Sequence, residues 1–124
     1  MADDDDPVVR SFEASRDAPA CVRRWLAHRL PTGSREAATL AASEVVTNAL
    51  MHGRMTADEQ LEVAVLAAGG RVRVSVTHRG EAFATTPARA PGAHGGWGLR
   101  VVESVTHAWG VERDGPLAIV WFEV

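Results

Sequence analysis

Hydrophobic positions along the chain change period several times, and each change marks an element. Val8 to Ala14 alternates loosely and predicts an edge strand. Asp17 and Pro19 signal a helix start, after which Val22, Trp25, Leu26 and Leu30 recur at helical spacing up to Pro31. Ser34 can cap a second helix from Arg35 to His52, with Gly53 where a left-handed residue would end it. Leu61, Val63 and Val65 alternate with Glu62, Ala64 and Leu66, and after Gly69-Gly70 the series Val72, Val74 and Val76 alternates with Arg71, Arg73 and Ser75. This pattern predicts two antiparallel strands joined by a tight turn.

From Arg79 to Gly98 no period survives, while glycine and proline gather at Pro87, Pro91, Gly92, Gly95 and Gly96. A loop of that length inside a compact domain is usually functional. Leu99 to Ala108 predicts a third helix with Val101, Val102 and Val105 inward; Trp109-Gly110-Val111 and Leu117 to Val124, around Asp114-Gly115, predict a closing hairpin. The sum is an α+β domain, a two-layer sandwich of about three helices on one face of a mainly antiparallel sheet of about four or five strands. The run Asp3 to Asp6 repels itself, so residues 1–7 are expected to form a disordered acidic tail and residues 8–124 a single domain.

Composition narrows the class further. At 124 residues, 46% hydrophobic and 23% charged, the chain fits one globular domain with a sizeable core. Its 13 cationic side chains are all arginine, and against 16 acidic residues they leave a net charge of −3, which argues against direct nucleic-acid binding through a basic surface. The single Cys21 excludes an internal disulfide. Neither a signal peptide nor an apolar run near the ~20 residues of a membrane span is visible, so a soluble cytoplasmic protein without membrane attachment is expected.

The strongest chemical signal lies in Ser43-Glu-Val-Val-Thr-Asn-Ala-Leu-Met-His-Gly53. Glu44, Asn48 and His52 are spaced four apart, which on a helix aligns a carboxylate, a carboxamide and an imidazole in one stripe. Polar groups on an otherwise apolar helix carry a solvation cost unless something uses them. Gly96-Trp97-Gly98-Leu99 precedes the predicted third helix, where free amide hydrogens and the helix dipole favour an anion and glycine permits close approach. The histidines His52, His78, His94 and His107 match no common zinc spacing.

In order and spacing these segments resemble the GHKL (histidine-kinase-like) ATPase superfamily, and within it the small bacterial anti-sigma-factor and serine-protein-kinase branch. Residues 43–53 look like its asparagine box, Gly96-Trp-Gly-Leu99 like its glycine box, and Val120-Trp-Phe-Glu-Val124 like its last strand; the resemblance covers roughly residues 8–124. It implies a Bergerat-type fold that binds ATP and Mg²⁺. Asn48 would hold the metal and Glu44 would act as base, while His52, Gly80, Gly96, Gly98 and Leu99 would lie at the nucleotide. It also implies a sigma factor or an anti-anti-sigma protein as partner, and a homodimer as a common state of the branch.

Two positions depart from that pattern. The family reads adenine through an aspartate two residues before a glycine, where this chain has His78 before Gly80, and no aspartate occurs between Asp58 and Asp114. A threonine near adenine on the last strand is matched by Ile119. Losing a hydrogen bond to a charged group costs about 1.5–3 kcal/mol. Two readings therefore stand open: an ATP-dependent serine/threonine protein kinase acting on an anti-sigma antagonist, and a nucleotide-independent partner-binding regulator with a degenerate adenine pocket.

Overall fold

The alternating segments form strands and the helical ones form helices. A computed structural model of the chain describes residues 6–52, 55–56, 58–80 and 96–124, without the side chains of His52 and Trp97. Part of the acidic tail, Gly53 and most of the aperiodic stretch after Arg79 lie outside the described residues. The elements run β1 (Val8–Glu13), α1 (Ala18–Ala27), α2 (Thr32–His52), β2 (Gln60–Ala68), β3 (Arg71–Arg79), α3 (Gly96–Val105), β4 (Ala108–Asp114) and β5 (Leu117–Glu123).

The five strands make one sheet in the order β1-β2-β3-β5-β4, every neighbouring pair antiparallel. Ala68 pairs with Arg71 across Gly69-Gly70, whose φ values of 59° and 80° suit the turn that a right-twisted hairpin needs. The second hairpin turns through Gly115 and Pro116 instead, since Asp114 pairs with Leu117; Gly115 takes a φ of 60° and proline fixes the next residue. Strand β3 bonds to β5, not to its chain neighbour β4, and helix α3, which lies between β3 and β4 in the chain, packs on α2.

One face of the sheet is sealed by helices. Phe12, Leu61, Val63, Val65, Val72, Val74, Val76, Ala118, Val120 and Phe122 are buried there together with Val22, Leu26 and Leu30 from α1 and the following turn. Helix α2 lies between α1 and α3 and packs on β3 and β5. Its buried apolar residues Ala38, Ala41, Ala42, Val45, Val46 and Ala49 keep the i, i+3, i+4 rhythm, and four of the six are alanine. Small side chains let a helix with neighbours on several sides approach them closely.

Element ends differ from the sequence pattern in physically instructive ways. Helix α2 starts at Thr32, because Pro31 offers its carbonyl to the Ser34 amide at 3.0 Å, so Ser34 sits inside the first turn and not at the cap. Helix α3 takes in Gly96 to Gly98 and stops at Val105. The His107 amide donates to the Glu123 carbonyl at 2.8 Å, which draws the chain into the sheet and makes Ala108 the first residue of β4.

The outer face has its own lock. A Cβ at Gly110 would stand 2.7 Å from Cζ2 and 2.8 Å from Nε1 of Trp121, its cross-strand partner. The Arg73 guanidinium lies over the same indole, 4.0 Å from the ring centroid, and reaches Glu123 at 3.8 Å. Gly110→Ala should therefore destabilise the domain by about 1–3 kcal/mol through overpacking, read as a lower urea midpoint; an unchanged midpoint would show that the indole is free to move. Phe122→Ala, which empties a fully buried site, should cost about 3–5 kcal/mol by the same measurement.

Candidate functional site

The buried stripe of α2 is interrupted on one side. Asn48, one turn after Glu44, is only 7% exposed, while Glu44 is half-buried. A carboxamide with three or four hydrogen-bonding valences is costly in such a layer unless they are used. His52, the last residue of α2, continues the stripe in sequence, but its side chain lies outside the described residues.

The second buried polar residue is His78, at 1% exposure on the helix-facing side of β3. Its Nδ1 lies 2.8 Å from the Arg79 carbonyl oxygen, and since a carbonyl can only accept, Nδ1 carries the proton and donates. Nε2 is buried with no hydrogen-bond partner among the described residues. Burial pushes the imidazole below its ordinary value; the Arg79 hydrogen bond pulls the other way, and the nearby Arg113 charge adds to the lowering. The ring is thus neutral near pH 7, with Nε2 as a bare acceptor. Leaving such a group unmade costs about 1–3 kcal/mol.

The end of β3 is clamped from both sides. Arg79 Nε lies 3.5 Å from a Glu59 carboxylate oxygen, and Glu59 also accepts from the Thr56 amide at 2.8 Å. Gly80, at a φ of 96°, donates its amide to the Pro116 carbonyl at 3.2 Å and accepts from Arg113 Nη1 at 3.0 Å. Glu59, Arg113 and Pro116 carry no local sequence signal for this role, since Arg113 and Gly80 stand 33 residues apart. Gly96, Gly98 and Leu99 all fall in the first turn of α3, whose leading amide hydrogens have no partner within the helix.

One expected site residue is placed elsewhere. His78 pairs with Ala118 on β5, whereas Ile119 pairs with Thr77. Side chains alternate along a strand, so Ile119 lies on the outer face and His78 on the helix face, and the two do not share a subsite. The β5 side chains on the face of His78 are Ala118 and Val120.

A three-helix layer over an antiparallel sheet, with its buried polar groups on α2 and β3, defines a class. The family model described as "Histidine kinase-like ATPase domain" matches residues 11–123, and the chain belongs to that family. Among solved structures it is similar to the RsbU and RsbW domains of Rv1364c from Mycobacterium tuberculosis, with 25% identity and a TM-score of 0.72. That match covers 95% of this chain and 32% of the other, so this chain spans about a third of the solved chain it resembles. No curated protein matches it.

The buried imidazole makes stability depend on pH. An unfolded histidine, near 6.5, takes up a proton that folded His78 refuses. Stability is therefore whole above about pH 6.5, declines as the pH falls below it, and levels off beneath the lowered folded value. His78→Leu should flatten this decline between about pH 7.5 and about pH 5.5, measured as urea unfolding free energies of both proteins. Identical pH slopes would show that His78 does not resist protonation.

Proposed function

We propose that this chain is an anti-sigma-factor-like bacterial regulator whose histidine-kinase-like domain binds Mg-ATP and phosphorylates a serine or threonine of an antagonist protein. The observation that carries the reading is that Asn48, which the resemblance assigns to the metal, is buried on α2 one turn after the half-buried Glu44, within a chain of the histidine-kinase-like family. The similarity to a chain containing an RsbW domain supports the regulatory branch, with a sigma factor or an anti-anti-sigma protein as partner and pairing of two copies as a further expectation.

The residues suit the group they would hold. A carboxamide oxygen, as Asn48 offers, is a hard ligand of the kind Mg²⁺ takes alongside water and phosphate oxygens. Glu44 precedes Asn48 by one turn of α2 and is half-exposed, so a protein hydroxyl can reach it and pass it a proton as that oxygen bonds to the terminal phosphorus. Gly96 and Gly98 open α3, whose leading amides have no partner within the helix and suit phosphate oxygens. Mg-ATP, when bound, supplies the phosphoryl group, with ADP leaving.

Titration calorimetry with Mg-ATP should give saturable heat, and Asn48→Ala should weaken binding at least about tenfold while retaining a cooperative thermal transition. Absence of binding to the unaltered protein would leave the nucleotide-independent regulator in place of this reading. Glu44→Ala should retain ATP binding yet lose transfer of labelled phosphate to the antagonist; undiminished labelling would remove Glu44 as the base.

A further inference from the structure

The outer face of the helix layer carries a charged groove that nucleotide binding does not use. It is open, holds about 700 Å³, and runs between α1 and α2. Ala20 and Ala27 give it an apolar lining, and Arg23, Arg24 and Arg35 stand around it against one lining carboxylate, Glu36. The buried side of α1, with Ala18, Val22, Trp25 and Leu26, is the opposite one, so the groove looks away from the sheet. We propose that this groove is the docking surface of the chain's own acidic segment, Asp3 to Asp6.

Charge favours that occupant. All three arginines are exposed, and local bonds hold two of them in place while spending one N–H each of the five a guanidinium has. Arg23 Nη1 donates to Ser43 Oγ at 2.8 Å, and Arg35 Nη2 donates to the Leu30 carbonyl at 3.0 Å. Helix α2 begins beside them with no acidic residue in its first turn, so the positive end of its dipole is uncompensated there. Four of the chain's 16 acidic residues stand in Asp3 to Asp6, more than its net charge of −3, so the remainder carries a slight excess of arginine.

Chain direction and length agree with it. The rings of Phe12 on β1 and Trp25 on α1 meet edge to face with centroids 5.7 Å apart, and the Arg29 guanidinium lies 5.0 Å from the same indole. Helix α1 therefore returns alongside β1, and Pro7 leaves the sheet at the end where α1 passes into α2, close to Ala27 and Arg35. Ala20 to Ala27 covers about 10 Å of helix, and four extended residues cover about 13 Å. Single exposed ion pairs are weak, so the contact needs several acting together. A tether of a few residues favours that, because it holds the segment at about millimolar effective concentration beside the groove. Any other acidic segment must displace Asp3 to Asp6 before it can enter.

A spin label on the full chain tests the placement. It is attached at Ala2→Cys, with Cys21→Ser so that one thiol reacts, and amide signals are followed in nitrogen-15 spectra after a cooperative thermal transition has been verified. At about 0.1 M salt the amides of residues 20–27 and 32–39 should lose intensity about twofold or more, and they should recover at about 1 M salt, where the screening length falls from about 10 Å to about 3 Å. The pair Arg24→Gln and Arg35→Gln should restore the signals, and so should the combined change Asp3→Asn, Asp4→Asn, Asp5→Asn and Asp6→Asn. Broadening that survives either set of changes, or that does not favour the groove over the rest of the surface, overturns the proposal. Broadening of an unlabelled nitrogen-15 chain mixed with the labelled one gives the groove to the segment of a second copy and overturns docking within one chain. Undiminished signals at low salt overturn it as well and leave the groove to an acidic segment of another protein.

Discussion

Helix α2 has to be buried on more than one side at once, and the rest of the domain is arranged around that demand. It touches α1, α3 and the sheet, so its buried stripe is built of alanine and valine, and bulk is supplied by Phe122, Leu26 and Leu61 from the elements around it. In a layer packed this closely every polar atom must be matched, because water is excluded and the local dielectric is low. Asn48 is admitted under that constraint. The site is a consequence of where the helix lies, since a surface helix could carry the same residues without holding them still.

The sheet contributes the complementary half. Strand β3 is central, paired with β2 and β5, and its last buried residue is His78. A central strand cannot shift without disturbing two ladders, so a side chain at its end is held by the whole sheet. The exit at Arg79 and Gly80 is then tied to Glu59 on one side and to Pro116 and Arg113 on the other. Asn48 and His78 are fixed by different layers of the fold, the first by helix packing and the second by strand pairing.

Much of this was legible in the sequence because it is governed by local rules. Alternation marked β2 and β3, Gly69-Gly70 the first turn and Asp114-Gly115 the closing hairpin, and the four-residue spacing of Glu44 and Asn48 placed both on one helix. What escaped was long-range. The face of Ile119 depends on the register of β3 with β5, which are separated by α3 and β4, and a slip of one residue inverts every side chain. The limits of α3 were likewise set by a backbone bond from His107 to Glu123. The acceptor character of His78 needed the neighbouring carbonyl to be located before the ring could be assigned a tautomer.

The clamp at Gly80 uses backbone atoms of residues 80 and 116 together with the side chain of Arg113, and nothing from the side chain of residue 78. The strand end thus keeps its path whatever side chain occupies position 78. The frame and the side chain it presents are thus separable, and a change of chemistry at position 78 leaves the bonds that hold Gly80 in place.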